Sequence, residues 1–356
     1  MLNTNTEDNN VKSETIQDVA FKLVEKQLGQ LQQEHESRRQ SILVLGSRGV
    51  GKSTVINKFL DREENLRPTL ALQFSFGRRS RSTEYEQKQV LNIWEVGSLR
   101  NTEQLTELTF KNQNQRNFSV IIMIDLSQPH CMFADIEEAY EHLKNASAKL
   151  ISNGEDSIVN KATATTVEQI QFPVVIVGGK YDLFMNFEPE LKKQVSRCLR
   201  STAHLIGAAL IFYSSKIQKL VKTLRDTISY LGFGTPSRPF RLQTTDYNDA
   251  LSIWFGTDSW KDINRGEEFK DLQEININFS SKVPQNPSVS NESISSHNPE
   301  HAVTVNPTKD PAFYESVIDE MRAQKDVELE EIARDTNLRH KFEILSGHTK
   351  QNAHFN

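Results

Sequence analysis

Cysteine is scarce in this chain, with only two among 356 residues. Cys131 and Cys198 lie far apart, without the close spacing of a metal-ligand pair or the density of a disulfide framework, so a reducing compartment suits them. Long apolar runs are missing too. None approaches the ~20 residues a membrane-crossing helix needs, and no membrane insertion is expected. There is no basic excess: the net charge is −5, which argues against a nucleic-acid surface. The chain opens on polar and acidic residues (Asn3, Thr4, Asn5, Glu7, Asp8), unlike a secretory signal. The hydrophobic fraction, 37%, is low for a chain packed from end to end, so part of the length is expected outside a core.

What is present centres on residues 43–54, Leu-Val-Leu-Gly-Ser-Arg-Gly-Val-Gly-Lys-Ser-Thr. This is G-x-x-x-x-G-K-S between a strand-like run at 41–45 and a helix-like run at 54–60, the context in which the motif is informative. Gly46, Gly49 and Gly51 let a loop wrap closely, so that its backbone N–H groups, with those of Ser47 and Thr54, converge on phosphate at a helix N-terminus. Lys52 would reach the terminal phosphates and the Ser53 hydroxyl would ligate magnesium.

Further along, apolar runs at 90–95, 119–125, 173–178 and 209–213 read as strands, the middle two as strands buried on both faces. A loop at 67–76 feeds another strand. Helical patterns cover 134–150, 187–206 and 217–231. This alternation predicts an α/β fold with a doubly wound, mainly parallel sheet of the P-loop, Ras-like kind, with ligands beyond the carboxyl ends of the strands. Five segments are expected: a polar arm and amphipathic helix over 1–38, the P-loop domain over 39–235, a core appendage over 236–279, a disordered linker over 280–308, and an acidic amphipathic helix and tail over 309–356.

Two features point to guanine. Gly179-Lys180-Tyr181-Asp182 follows a predicted strand, where a base-reading N-K-x-D would sit. A carboxylate at Asp182 can accept from guanine's ring N–H and exocyclic amine, and adenine would leave it unpaired. Lys180 would lay its stem along the base. Ser214, Ser215 and Lys216 follow the last predicted strand, as in an S-A-K loop. The catalytic half is poorer. Trp94-Glu95-Val96-Gly97 stands where Ras-like GTPases have W-D-x-x-G, and Ser98 follows in place of the water-positioning glutamine. Either Glu95 or Asp125 could serve the metal, and Thr69 is the candidate switch threonine. Gly179 replaces the asparagine that braces the base loop. Nucleotide binding, GTP or GDP with Mg2+, is therefore expected ahead of turnover. His130 and Cys131 adjoin without a third ligand. Arg78, Arg79 and Arg81 form a basic cluster, either a solvated loop or a surface for an acidic partner.

These residues resemble the family of cytoplasmic dynein 2 light intermediate chains. The resemblance rests on Pro-Thr-Leu-Ala-Leu at 68–72, Phe-Gly-Arg-Arg at 76–79, the motifs at 94–97 and 179–182, and the run from Leu199 and Arg200 through Ser214-Ser215-Lys216. Blocks at 309–311, 319–322 and 324–330 in the tail are the narrowest part of it. It implies a non-motor, non-enzymatic subunit with a Ras-like domain that clamps and stabilises the dynein 2 heavy-chain tail. Its neighbours would be the other intermediate and light chains and, indirectly, the intraflagellar transport machinery. It implies retrograde transport and cilium assembly, a place in the cytoplasm, axoneme and basal body, and a structural or vestigial nucleotide site. The competing reading is an active regulatory small GTPase of ciliary or vesicular traffic; an ATP-using enzyme is disfavoured by Asp182.

Overall fold

The computed structural model describes residues 39–63, 67–79, 89–100, 102–110, 117–152, 170, 172–234, 239, 243–264, 266–285 and 314–351. The expected N-terminal arm and helix at 1–38, and most of the expected linker, lie outside these residues.

Seven strands form one sheet in the order β2-β3-β1-β4-β5-β6-β7. They are β1 (Arg39–Gly46), β2 (Leu72–Arg79), β3 (Gln89–Val96), β4 (Phe118–Asp125), β5 (Val174–Gly179), β6 (Ala209–Phe212) and β7 (Ser252–Ile253). The five central strands are parallel, and β2 and β7 add antiparallel at the two edges. The expected α/β, doubly wound, mainly parallel architecture is what the chain adopts.

The sequence produces this because its central strands are largely apolar on both faces. In β4 all eight residues are buried. Alternate residues then feed separate cores. Leu43, Leu45, Val120, Ile122 and Ile124 join one cluster, with α3 (Met132–Ser152) and α5 (Pro189–Ile206). Ile42, Val44, Ile121 and Met123 join the other, with α1 (Lys52–Leu60) and α6 (Gln218–Phe233). A one-residue slip of any central strand would exchange its two packing faces, so register is strongly specified. Gly207 and Gly234 close α5 and α6 in the left-handed conformation, each an ordinary helix stop.

Five elements go beyond the sequence reading. Helix α2 (Glu103–Phe110) follows β3, and α4 (Tyr181–Phe184) is a single turn after β5. The segment expected to be an appendage supplies β7, which extends the sheet itself, and then α7 (Trp260–Asn264) and α8 (Leu272–Ser280). The linker was expected to begin at Ser280, but the packed chain runs on to Gln285. Val283 is buried in the core, and the Gln285 amide donates to the Pro129 carbonyl at 3.1 Å. Val283 supplies the apolar anchor and Gln285 the polar one, in a stretch otherwise composed like a linker.

A second unit, 294–356, contains α9 (Ser316–Gln351). Every one of its side chains whose burial is described is exposed. At 100° per residue, Val317, Ile318, Met321, Leu329 and Ile332 fall within an arc of about 120°, but Val327 and Leu338 fall well outside it, so the apolar side chains of α9 do not form the single stripe expected of an amphipathic helix.

Candidate nucleotide site

The carboxyl ends of β1, β3, β4, β5 and β6 gather the predicted residues, because parallel strands present all these ends on one side of the sheet. Strand β1 ends at Gly46, and the loop turns through Gly49 and Gly51 into α1. These glycines take φ of 152°, 77° and 104°, respectively, values that L side chains rarely adopt. Gly46 is also crowded. A Cβ there would lie 2.5 Å from the Met123 carbonyl oxygen, so only glycine lets the loop leave beside β4. No acidic residue occupies the first turn of α1, and Gly51 brings no side chain to cap it. That helix end therefore keeps its positive character toward an anion.

Lys52 is buried, and its ammonium donates to the carbonyls of Gly46, Ser47 and Gly97 at 2.9, 2.8 and 3.2 Å. Burial pushes its pKa down to about 8, against the opposing pull of Glu95 and Asp135. The Ser53 hydroxyl donates to Glu95 at 2.6 Å. Of the two carboxylates left open by the sequence, Glu95 meets Ser53. Asp125 instead accepts from Lys180 at 2.6 Å and from the Ser127 hydroxyl at 2.6 Å. Thr69 does not join the Ser53–Glu95 pair: its hydroxyl donates to Gln73 at 3.0 Å. Its backbone, however, lies close to Gly97, where a Cβ would stand 2.3 Å from the Thr69 carbonyl oxygen.

The residues expected to read a base converge as well. Asp182 accepts from the buried Ser214 hydroxyl at 2.8 Å and from the Lys216 ammonium at 2.7 Å. Burial alone would raise this carboxyl; the bonds from Lys216 and Ser214 outweigh it and hold the pKa below the usual carboxylate value. Lys180 takes a left-handed φ of 57° and is tethered by Asp125, so its stem is fixed at the end of β5. Ser215 sits half-buried between its neighbours, and Thr54 lies in the first turn of α1. Gly179 brings β5 close to the phosphate loop, where a Cβ would lie 3.1 Å from the Val50 carbonyl oxygen. Where asparagine would brace the loop with a side chain, here backbone meets backbone.

One contributor escaped the sequence reading. The Ser47 hydroxyl donates to Asp135 in the first turn of α3, at 2.7 Å. Burial raises the Asp135 pKa, and the Ser47 bond offsets part of that rise. Nothing in the spacing of 47 and 135 announces this contact; only the closeness of two strand ends creates it.

The residues present fit a magnesium-bound nucleotide. A cradle of glycines closes on a helix end, a buried ammonium stands over it, and a Ser–Glu pair offers oxygen ligands beside it. At the far end Asp182 and the Ser214–Lys216 loop have the donor and acceptor set for guanine. The terminal-phosphate side is different. The Gly97 amide donates to Ala71 at 2.7 Å and the Gly97 carbonyl accepts from Lys52, so this glycine is committed to the protein on both sides. Neither cysteine is in a disulfide, and both are buried.

Comparison with known proteins adds kinship. The dynein light intermediate chain (DLIC) family matches over residues 32–158. Cytoplasmic dynein 2 light intermediate chain 1 of Danio rerio is 30% identical over 352 residues, covering 91% of this chain and 96% of that protein. The Homo sapiens protein of the same name is 29% identical over 361 residues, covering 91% and 97%. Among solved structures, the conserved domain of a dynein light intermediate chain aligns at TM-score 0.45 and 15% identity, covering 69% of this chain and 91% of that one.

Proposed function

This chain belongs to the cytoplasmic dynein 2 light intermediate chain family, and we propose that it serves as a non-motor subunit that holds the dynein 2 heavy-chain tail. Membership makes it a subunit of a dynein motor complex, in a family of non-catalytic subunits. The finer reading is that it stabilises the heavy chain, meets the other intermediate and light chains, and supports retrograde intraflagellar transport and cilium assembly. It would work in the cytoplasm, at the basal body and along the axoneme.

Within that role the nucleotide site is structural. A bound guanine nucleotide with magnesium would supply phosphate charge to the helix end and brace the loops around it. The chain's own residues define the rest: Lys52 and the 46–54 loop hold phosphate, Ser53 and Glu95 hold the metal, and Asp182 with Ser214 and Lys216 reads the base. The single observation that carries the non-catalytic reading is Gly97. A switch glycine must be free to offer its amide to a terminal phosphate, and here that amide is spent on Ala71. Ser98 in place of a water-positioning glutamine agrees with this.

The test is nucleotide content and turnover of the gently purified full chain, alongside binding to a purified heavy-chain tail. The expected result is tail binding with retained guanine nucleotide and no hydrolysis. Steady GTP hydrolysis abolished by Lys52→Ala would overturn this reading in favour of a regulatory GTPase.

A further inference from the structure

Among the described residues, strand β2 is the outermost at its side of the sheet and pairs with β3 alone, in unbroken register over all eight residues. Its two faces differ. Ser75 is buried on one, and there Gly77 lies against Leu60 of α1. The other face carries Phe74 and Phe76, 48% and 43% exposed, and Leu70 just before the strand is 46% exposed.

These side chains form one platform. The Phe74 and Phe76 rings stack at 6.3 Å, Phe74 lies 4.6 Å from Trp94 on β3, and the Arg78 guanidinium sits 5.2 Å over the Phe76 ring. The Trp94 indole N–H beneath is buried and has no acceptor among the described residues. Soluble domains usually blunt an outer strand with proline, a bulge or a short length. β2 has none of these three, being eight residues long, regular and free of proline, and its one edge device is charge at its end. Its sequence, Leu-Gln-Phe-Ser-Phe-Gly-Arg-Arg, contains two arginines and no acid.

We propose that the outer edge of β2, with its Phe74, Phe76 and Arg78 face, receives an extended acidic and apolar segment of the dynein heavy chain as an added strand. The inference rests on the subunit reading above and gives it a surface. Backbone pairing along the open edge supplies the common part of the affinity, and side chains on one face supply the choice of partner. Charge picks the occupant. Arg78 and Arg79 favour a segment bearing acids, whereas a second copy of β2 would bring two more arginines to the same seam.

The experiment uses the full chain and a purified heavy-chain tail, with the dissociation constant measured from low to moderate salt. Phe74→Ser with Phe76→Ser is expected to weaken binding at least tenfold. Arg78→Glu with Arg79→Glu, a pair that keeps Phe74 and Phe76 in place, is expected to weaken it most at low salt and to flatten the salt dependence. Ile277→Ser, at a 72% exposed apolar position on α8, serves as the control and should change nothing. Hydrogen exchange of the 72–79 amides should slow in the complex. A wild-type chain that does not bind the tail overturns the subunit reading, and this proposal with it. Normal binding by both double variants, or unchanged β2 exchange in a formed complex, overturns the docking surface alone. So does a wild-type dimer that Phe74→Ser with Phe76→Ser dissolves without affecting tail binding, which would make the occupant a second copy.

Discussion

The ammonium of Lys52 lies 3.2 Å from the carbonyl oxygen of Gly97, while the amide of that glycine donates to Ala71 at 2.7 Å. One short turn thus links the phosphate loop to the lead-in of β2. In a nucleotide switch this turn is the moving part. Here both its polar groups are engaged, so motion would have to break two buried or half-buried hydrogen bonds at once.

Gly97 should be intolerant of a side chain. Its Cβ would lie 2.3 Å from the Thr69 oxygen and 3.0 Å from the Leu70 backbone. Gly97→Ala is expected to cost about 1–3 kcal/mol as overpacking does. Urea denaturation measures this, and an unchanged midpoint would show that the turn can yield.

The Ser47–Asp135 bond should matter for stability whether or not nucleotide is present. Ser47→Ala leaves a half-buried carboxyl without its donor and should cost ~1–3 kcal/mol. Asp135→Asn keeps an acceptor for the same hydroxyl and should cost distinctly less. Equal losses in the two variants would contradict a hydrogen-bonded role.

On the other side of the domain, Arg200 makes a bidentate pair with Asp258, its Nε and a terminal nitrogen donating at 2.8 and 2.7 Å. Both side chains are largely buried, at 11% and 8% exposure. Arg200→Ala strands Asp258 and should cost about 3–5 kcal/mol. Replacing both residues by apolar ones of similar volume should cost much less, which a double-mutant cycle in thermal unfolding would reveal.

His142 gives the chain a pH dependence of defined sign. It is buried on α3, with Nδ1 3.4 Å from the Thr106 hydroxyl, and burial lowers its pKa against a smaller opposing effect of Glu103. Below the ordinary histidine pKa of about 6.5, the unfolded chain takes up a proton that the native one resists. This group's contribution to stability is therefore intact above that pH and is lost as pH falls toward the depressed native value. His142→Gln should flatten the decline in unfolding free energy between neutral and mildly acid pH; identical slopes would count against it.

Much of the fold was legible because its signals are local. The nearly all-apolar run that became β4, the loop glycines, and the helical spacing behind α3, α5 and α6 each act within a few residues of themselves. Strand β7 was not legible. It is two residues long, and its place at the edge depends on antiparallel pairing with β6 rather than on any pattern of its own. The single-turn α4 and the short α7 were hidden for the same reason.

At the site, sequence order alone determined which residue types stand at the ends of the strands: the glycine loop with Lys52 and Ser53, then Glu95, then Asp125, then Lys180 and Asp182, then Ser214 to Lys216. Which of them pair was decided only by the tertiary structure. Glu95 rather than Asp125 meets Ser53, Asp125 turns to Lys180, Asp135 reaches Ser47, and Gly97 is closed at both ends. The reason is physical. Motifs are read along one chain over a few residues, whereas these contacts join groups up to 88 positions apart and depend on strand order and register, which no single segment encodes.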